Sequence, residues 1–284
     1  MNKRQLLPFA AASLVLGSAA FLSMPSVAET KGKPAPLKAL LVIGGCCHDY
    51  KTQKDLLKAG IESRANVEVT VCYSPDSSTK ATFPCYEGKD WANNYDVVIH
   101  DECSADIKDT AYVQNILDAH KNGVPAVNLH CAMHCYRVGQ IAKPVTPGST
   151  DAMWFDMLGL QSTGHGPQKP IDVTYTDDKH PATKGLANWT TIKEELYNNI
   201  QVYPTATTLA KGKQENQETV VVWSHEYGEK KTRIFSTSLG HNNETVADDR
   251  YLNLVTRGLL WACGKLDDAG NPVAGYAPAT AAAK

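Results

Sequence analysis

Short apolar runs alternate with amphipathic segments in the first half of the chain. The runs at 38–44 and 125–129 are almost continuously apolar, which is typical of strands that are buried on both faces. Between them, apolar residues also recur at helical spacing. Because strands that alternate with helices favour a parallel sheet, we predict a doubly wound α/β domain. The predicted elements are strands at 38–44, 67–72, 95–100 and 125–129 and helices at 54–64 and 110–121.

The second half of the chain carries the signals of a β-hairpin followed by a helix. Strands are predicted at 220–223 and 232–236, joined by turn residues at 225–228. The amphipathic segment 248–263 predicts a helix, and Gly264 is a suitable C-terminal cap. Ahead of this hairpin the sequence predicts a short helix at 153–158, a polar loop at 162–167 and a strand at 171–175.

The N-terminus has the three parts of a cleavable signal peptide. Lys3 and Arg4 precede an apolar stretch at 6–22, and residues 26–28 are small, as cleavage requires. A membrane anchor is the less favoured alternative because the stretch is short and weakly apolar. We therefore expect a periplasmic or secreted protein without membrane association after cleavage. The predicted organisation is a signal peptide (1–28), a flexible lead-in (29–37), one α/β domain (38–265) and a low-complexity, disordered tail (266–284).

Charge and motifs argue against several classes of ligand. The formal net charge of −2 does not favour nucleic acid binding, which requires a clustered basic surface. No Gly-rich phosphate motif follows the first predicted strand, so no nucleotide cofactor is expected. The expected partner is a small molecule, and the oligomeric state is left open.

The cysteine count also suits an exported protein. The eight cysteines are even in number, as expected in an oxidising compartment. Cys72 and Cys85 flank a polar loop and are the favoured disulfide, while the other pairings stay open. Because the sequence contains no CxxC pair, a structural zinc cluster is disfavoured.

Several histidines follow predicted strands or lie in glycine-bearing turns. The central strand ends at His130, and the carboxyl ends of parallel strands meet at one crevice, so these side chains are expected to converge. Imidazole is the most common metal ligand and the usual acid–base group near neutral pH, and both roles stay open. The histidines are His48, His100, His130, His165 and His241. The candidate ligands for a divalent metal, zinc or manganese, are His48, His130, His165 and His241.

Neighbouring aromatic and polar side chains favour a carbohydrate ligand. Flat rings stack on the C–H faces of sugars, and Trp154, Tyr197 and Trp223 are the candidates for this contact, with burial in the core as the alternative. His134 and Arg137 are candidate polar contacts to the substrate. A carboxylate that can act as a base or a ligand is available at 194 or 195, where the chain has two glutamates.

A series of short motifs resembles the trehalose-utilisation (ThuA-like) domain family from about Leu37 to Gly264. The resemblance implies a class I glutamine amidotransferase-like, flavodoxin-like fold with a mainly parallel sheet in a single domain. The motifs occur in the family's order: GGxxHD at 44–49, LHCAMHxYR at 129–137, HGP at 165–167, HPxTKGL at 180–186, EELYNN at 194–199 and SLGHN at 238–242.

The resemblance also bears on the residue that follows the central strand. In amidotransferases of this fold, a catalytic cysteine lies there at a sharp elbow. His130 falls at that position and Cys131 one residue later, which argues against a Cys–His amidase. A cysteine hydrolase that uses Cys131 stays open as an alternative, as does a non-catalytic carbohydrate-binding protein.

The family is associated with bacterial sugar catabolism, particularly of disaccharides processed through 3-keto intermediates. A 3-keto sugar has an acidic proton at C2, and a base that removes it permits elimination or isomerisation. The resemblance therefore implies an exported lyase, hydrolase or isomerase that acts on a glycoside or keto-sugar. His130, Glu195 and His48 are the candidate catalytic residues, and either protonated histidines or a divalent metal would polarise the ketone.

Overall fold

A nine-stranded mixed sheet forms the centre of the part of the chain that the computed structural model describes, which is residue 1 and residues 34–278. Residues 2–33 and 279–284 lie outside the described residues. The predicted signal peptide (1–28), apart from residue 1, and the first part of the predicted lead-in fall on the first of these ranges. The strands are β1 (Leu37–Gly45), β2 (Val67–Ser74), β3 (Val97–Cys103), β4 (Ala126–Leu129), β5 (Leu160–Lys169), β6 (Asp172–Tyr175), β7 (Trp189–Thr190), β8 (Glu194–Val202), β9 (Ala206–Gln214), β10 (Gln217–Tyr227) and β11 (Thr232–Thr237). The helices are α1 (Tyr50–Glu62), α2 (Thr110–Lys121), α3 (Met153–Leu158), α4 (Asn243–Val246) and α5 (Asp249–Ala262).

The parallel half of the sheet has the strand order β2-β1-β3-β4-β11. Successive residues of β1 point to opposite faces, and both faces are apolar. Leu41 and Ile43 belong to the cluster that includes apolar residues of α1 and α5, whereas Leu40 and Val42 belong to the one that includes residues of α2 and α3. Burial on both faces confirms the predicted doubly wound α/β fold.

The sheet continues from β11 with the antiparallel strands β10, β9, β6 and β7. The predicted hairpin is present as β10 and β11, but β10 extends to Tyr227 and the turn follows it. The predicted turn at 225–228 is therefore wrong, because His225 pairs with Ile234 inside the ladder. A continuous ladder holds these polar residues in a strand although their side chains are typical of turns.

Residues 162–167, predicted as a polar loop, form part of β5, which pairs with β8 in a separate two-stranded sheet. Register shifts interrupt this pairing on both sides of Ser162 and between His165 and Gln168. The outer half of the strand is largely exposed. The apolar–polar alternation that identifies a strand is therefore missing from this segment.

Residues 266–278 differ from the predicted disordered tail. Leu266 forms a β-bridge with Pro272, and the Asn66 amide donates to the Tyr276 carbonyl oxygen at 3.0 Å. Leu266 and Tyr276 also pack against the apolar cluster that includes α5. These contacts anchor a segment whose composition alone is typical of disorder.

Four cysteines are paired at bonding distance in the structure. Cys72 is paired with Cys85, which is the favoured pair of the sequence analysis, and Cys46 is paired with its neighbour Cys47. The sulfur atoms of Cys103, Cys131, Cys135 and Cys263 are unpaired. Across residues 34–278, no helix has the length and hydrophobicity that crossing a bilayer requires.

Candidate functional site

The carboxyl ends of β1, β3 and β4 open onto a cavity of about 430 Å³, which the β5–β8 sheet and the loop after β11 also line. A larger cavity of about 660 Å³ lies beside α2 and α3, but its only charged residues are Lys121 and Asp156, and none of the predicted site residues line it. We therefore place the candidate site in the smaller cavity. The predicted residues that line it are His48, Cys131, His134, Arg137, His165, Glu195 and His241.

The turn between β1 and α1 positions His48. Gly45 has a φ of +96°, and a Cβ atom there would collide with the carbonyl oxygen of Cys103 on the neighbouring strand. Only glycine combines this backbone conformation with so close an approach. Asp49 then caps α1 by accepting a hydrogen bond from the Thr52 amide. The GGxxHD motif is therefore a strand-to-helix turn that presents one histidine to the cavity.

The hydrogen bonds of His48 define its protonation. Its Nδ1 lies 3.1 Å from the carbonyl oxygen of His241, which can only accept, so Nδ1 carries the proton. Its Nε2 lies 2.9 Å from the Cys131 sulfur and accepts from that thiol. Burial lowers the pKa of His48 to about 3, so the ring is neutral at neutral pH. The contact with Cys103, together with burial, raises the pKa of the Cys131 thiol.

The backbone turns sharply at His130, as the resemblance implies. His130 follows β4 with a φ of +40°, which side-chain-bearing residues rarely adopt, and its side chain is buried. Its Nδ1 lies 2.7 Å from the Ser238 carbonyl oxygen and therefore donates to it. Its Nε2 has no hydrogen-bond partner among the described residues and lies 3.5 Å from a carboxylate oxygen of Glu195. Without a proton or a cation between the two groups, the lone pair of His130 Nε2 would face the negatively charged carboxylate of Glu195, which is unfavourable.

Glu195 is surrounded by imidazoles. Its Oε1 lies 3.3 Å from Nδ1 of His241 and 3.6 Å from Nδ1 of His165, and it accepts a hydrogen bond from Gln168 Nε2 at 3.3 Å. Burial opposes ionisation of Glu195, but contacts with His130 and His241 outweigh it and lower the pKa of the carboxyl below its ordinary range. The contact with Glu195 in turn raises the pKa of His241. The arrangement therefore holds a carboxylate beside positive charge.

The two adjacent glutamates have different roles because neighbouring residues of a strand point in opposite directions. Glu195 faces the cavity, whereas Glu194 accepts hydrogen bonds from the amides of His241, at 3.0 Å, and Gly240, at 3.3 Å. Burial raises the pKa of Glu194. Glu194 thus fixes the SLGHN loop that carries His241. The sequence did not indicate this structural role for Glu194.

His134 and Tyr197 form a stacked pair at the edge of the cavity. Their ring centroids lie 4.2 Å apart, and His134 Nε2 lies 2.9 Å from the Ser162 hydroxyl oxygen. Burial lowers the pKa of His134 well below its ordinary value. Tyr197 is 2% exposed, so it supports the His134 and His130 rings from behind rather than offering a face to the cavity.

The prediction of Trp223 as a sugar-stacking residue is wrong. Its side chain is fully buried in the apolar cluster on the α2 and α3 side of the sheet, and its Nε1 donates to the Leu158 carbonyl oxygen at 2.7 Å. Strand alternation directs this ring away from the cavity. Trp154 is likewise buried, and its Nε1 donates to the Ala132 carbonyl oxygen, which supports the turn after His130.

His100 also lies apart from the cavity, although it is in β3. Its Nδ1 lies 3.0 Å from a Glu102 oxygen and its Nε2 lies 3.0 Å from Nε2 of His120, all within the buried core. Tyr86 completes the network by donating to Glu102 at 2.7 Å. His100 is not at the end of β3, which continues to Cys103. It is therefore a structural histidine.

Among the described residues, three sets of donor atoms are close enough to hold a metal ion. The first consists of His130, Glu195 and His241, and the second shares His130 and adds His48 and Cys131. The third consists of Cys46, Cys47 and Cys103, but two of its sulfurs are paired with each other. The first set has two buried nitrogens without hydrogen-bond partners, His130 Nε2 and His241 Nδ1. The predicted ligand His165 belongs to none of these sets; its half-exposed ring donates from Nδ1 to the Gly166 carbonyl oxygen at 2.9 Å.

Comparisons with known proteins agree with this architecture. The sequence matches the family model described as ThuA, trehalose utilisation, over residues 38–262. A solved structure described as ThuA-like, from Parabacteroides merdae, has a TM-score of 0.59 at 19% identity and covers 81% of this chain and 91% of that chain. A second, from Bacteroides uniformis, has a TM-score of 0.56 at 17% identity and covers 84% and 96%, respectively. A comparison with curated proteins gave no match.

At these sequence identities, structural similarity shows only that the fold is shared. The family model matches the sequence itself and therefore shows the family. The match runs from the first strand of the sheet to the end of α5. It includes the turn that carries His48, the elbow at His130 and the strand that carries Glu195. The chain therefore belongs to the trehalose-utilisation (ThuA) family, and its domain is a carbohydrate-related one with a glutamine amidotransferase-like fold.

Proposed function

We propose that this chain is an exported sugar-processing enzyme that acts on a glycoside or 3-keto-sugar by acid–base chemistry in the cavity lined by His48, Glu195 and His241. The observation that carries the proposal is the contact between His130 Nε2 and Glu195 at 3.5 Å. Because Nδ1 already donates to Ser238, this contact requires a proton or a cation between the two groups. A positive group next to a cavity is what polarisation of a sugar ketone requires, and Glu195, which contacts His130, lines the cavity.

The cavity has the size and lining expected for a small polar ligand. Its volume of about 430 Å³ falls within the range of roughly 300–1,000 Å³ that is usual for small-molecule sites. Arg137, His134 and His165 line it and offer hydrogen bonds to hydroxyl groups. Tyr197 contributes by stacking on His134. These groups support a carbohydrate as the ligand, consistent with the family.

The proposed chemistry is a proton abstraction next to a ketone. His48 is neutral at neutral pH and lines the cavity, so it is the proposed base for the C2 proton of a 3-keto-glycoside once its Nε2 is released from the Cys131 thiol. The C–H electron pair first forms an enolate with the ketone, and this step exchanges the C2 proton with solvent. The enolate electron pair then forms the C1–C2 double bond as the bond from C1 to the glycosidic oxygen breaks. His241, whose pKa Glu195 raises, is the proposed proton donor to that oxygen. His130 polarises the ketone, and Glu195 holds the imidazoles of His130 and His241 in place.

The first donor set also supports a divalent metal, zinc or manganese, as a cofactor. Zinc binds nitrogen and oxygen at about 2.0–2.2 Å, so two ligands of a tetrahedral ion lie about 3.4 Å apart. Oε2 of Glu195 lies 3.5 Å from His130 Nε2, and its Oε1 lies 3.3 Å from His241 Nδ1, so each nitrogen has one carboxylate oxygen at about that separation. A bound ion would polarise the ketone as a Lewis acid. It would also account for the two nitrogens without hydrogen-bond partners.

A cysteine hydrolase is the second candidate function, and one contact favours it. Cys131 lies 2.9 Å from His48 Nε2, the geometry of a nucleophile beside its base. It ranks second because the residue at the elbow is His130 and because the pKa of Cys131 is raised, which disfavours the thiolate. Activity that survives alkylation of Cys131 would exclude this function.

Export completes the proposal. The N-terminal 28 residues have the pattern of a signal peptide, and the paired sulfurs of Cys72 with Cys85 and of Cys46 with Cys47 suit disulfides in an oxidising compartment. Mass spectrometry of the protein purified from the periplasm or medium tests this directly. The expected mature chain starts near Glu29 and is four hydrogens lighter than the reduced chain.

The activity is tested by hydrogen exchange at C2 of 3-keto-trehalose in D₂O, followed by NMR. The wild-type protein is expected to exchange this proton and then to release glucose. Glu195→Gln and His48→Asn are each expected to slow exchange by at least about 100-fold, the usual contribution of a positioned acid or base. Glu218→Gln is the matched control, because this half-exposed carboxylate on β10 pairs with Lys211 outside the cavity.

The outcomes separate the proposed enzyme from its alternatives. Binding of the sugar without exchange or cleavage would refute the enzyme and leave a carbohydrate-binding protein. In that case, substitutions of Arg137 and His134 should weaken binding, whereas His48→Asn should not. Exchange that is equally fast in wild type and His48→Asn would refute His48 as the base.

A further inference from the structure

Sulfur atoms line one wall of the cavity, and the proposed sugar chemistry does not use them. The cavity is lined by Cys46, Cys47, Cys103 and Cys131. Cys46 and Cys47 are paired at bonding distance, and the Cys103 sulfur lies 3.4 Å from that of Cys46. A thiol is therefore in van der Waals contact with a disulfide.

The parallel pairing of β1 with β3 creates this contact. Gly45 is the register partner of Cys103, and the Cys46 amide donates to the Cys103 carbonyl oxygen at 3.3 Å. The absence of a Cβ atom at Gly45 lets the two backbones approach closely. Cys46 and Cys47 directly follow β1 and Cys103 ends β3, so the pairing of these two strands brings the three sulfurs together.

The three sulfurs differ in exposure in a way that gives each a distinct role. Cys46 and Cys103 are buried, with 8% and 5% exposure, whereas Cys47 is exposed at the mouth of the cavity. Arg137 lines the same cavity as Cys47 and Cys103. The attacking sulfur is therefore internal, and the sulfur that would be released faces solvent.

We propose that Cys46, Cys47 and Cys103 form a thiol–disulfide exchange site that captures a small-molecule disulfide at Cys47. The Cys103 thiolate attacks the Cys46 sulfur, so that the Cys103–Cys46 bond forms and the Cys46–Cys47 bond breaks. The electron pair remains on the Cys47 sulfur, and the proton lost by Cys103 ends on Cys47. No external oxidant is needed, because one disulfide replaces another.

The second step uses an external disulfide as its substrate. The Cys47 thiolate attacks one sulfur of a small disulfide, RSSR, forms a mixed disulfide with it and releases the other half as a thiolate. The captured group then lies at the mouth of the cavity, beside His48. Access of a sugar to the cavity would thereby depend on the thiol–disulfide balance of the surroundings.

Trapping with N-ethylmaleimide tests the first step without any assay of sugar turnover. The native full-length mature protein is treated without reductant, digested and mapped by mass spectrometry with its disulfides intact. The expected products are maleimide on Cys47 and a disulfide between the Cys46 and Cys103 peptides. Cys103→Ser should retain the Cys46–Cys47 pair and lose the label on Cys47, whereas Cys263→Ser, which alters an unpaired cysteine at the end of α5, should behave as wild type.

Two results would overturn the proposal. One is a wild-type protein in which Cys46 stays paired with Cys47 and Cys47 is never labelled. The other is equal labelling of Cys47 in wild type and Cys103→Ser. Cys47→Ser provides an independent check should Cys103→Ser fold poorly. It should form the Cys46–Cys103 disulfide on mild oxidation, and two remaining free thiols would contradict the proposed contact.

Glutathione disulfide is the probe for the second step. Incubation of the native protein should add the mass of one glutathionyl group, mapped to Cys47, and this addition should be lost in Cys103→Ser. Addition that is unchanged in Cys103→Ser, or that maps only to other cysteines, would refute capture at Cys47. These readouts are independent of the proposed sugar chemistry, so either proposal can fail without the other.

Discussion

Replacing His130 with asparagine separates the structural contact of this side chain from its proposed chemistry. Asparagine tolerates a positive φ better than most residues, and its amide can donate to the Ser238 carbonyl oxygen in place of Nδ1. It has no atom in the place of Nε2, which faces Glu195 at 3.5 Å. The hydrogen bond is kept and only a small void opens, so we expect His130→Asn to lower the free energy of unfolding by only about 1–2 kcal/mol.

The expected loss of metal-dependent stabilisation is slightly larger and is measured separately, as the stabilisation that the ion adds. At a free ion concentration 100 times the wild-type Kd, binding stabilises the folded state by about 2.7 kcal/mol. In a domain of this size, that corresponds to a rise in Tm of roughly 5–10 °C. Loss of an outer-shell partner of a metal ligand usually weakens metal binding by up to about 100-fold. Loss of one of the three ligands themselves should therefore weaken it by at least about 100-fold. The remaining stabilisation is then about 0.4 kcal/mol and the rise in Tm about 1 °C.

Thermal unfolding of the chelated protein, with and without zinc or manganese, measures this difference, and elemental analysis gives the stoichiometry. His180→Asn is the matched control, because this histidine packs against Trp261 away from the cavity. The ion should still raise its Tm as in wild type. Equal rises in Tm for wild type and His130→Asn would refute the assignment of His130 as a ligand. A wild-type protein that neither ion stabilises would refute the metal site itself.

Three further predictions concern stability. Burial lowers the pKa of His48 and His120 to about 3, so between pH 6.5 and 3 the unfolded chain binds protons that the folded chain does not. The free energy of unfolding therefore has its full value above pH 6.5 and should fall by about 1.4 kcal/mol per pH unit below it for each histidine. Urea unfolding measures this, and an unchanged free energy of unfolding from pH 6.5 to 4.5 would contradict it. Cys72→Ser removes the crosslink to Cys85, 13 residues away, and should lower the free energy of unfolding by about 3 kcal/mol in urea under non-reducing conditions. Added reductant should destabilise the variant less than the wild type, because only the Cys46–Cys47 pair remains, and an unchanged midpoint of the variant would rule out the Cys72–Cys85 disulfide. Gly45→Ala should lower the free energy of unfolding by about 1–3 kcal/mol, because φ is positive there and a Cβ atom would collide with a backbone oxygen. Gly164→Ala, with open space around it, is the control and should change it by less than about 0.5 kcal/mol. Equal effects of the two substitutions would argue against the close approach of β1 and β3.

The parallel half of the fold was predictable because its signals are local. Strands buried on both faces are continuously apolar, as in β1, and the helices between them keep their spacing and caps, as in α2 with Asp109 at its N-terminus. The separate two-stranded sheet of β5 and β8 was less predictable. β5 is polar, register-shifted and largely exposed along its outer half, so nothing in its own residues separates it from a loop.

The site was partly predictable for the same reason. Histidines that follow strands are visible in the sequence, and the topology of a parallel sheet places His48 and His130 at one edge. Which side chains contact these histidines could not be predicted from the sequence. Only the pairing of β5 with β8 and the loop after β11 bring Glu195 within 3.6 Å of the nearest nitrogens of His130, His165 and His241.

The sequence by itself determined the βα alternation, the sharp turn after the central strand and the set of histidines from which a site is built. These features depend on side-chain periodicity and on backbone conformations within a few residues. The tertiary structure alone decided that Glu195 rather than Glu194 faces the cavity, that Trp223 is buried, and that Cys103 meets Cys46. Each of these outcomes depends on which strands become neighbours and in what register, and a one-residue shift would reverse the face to which every side chain points.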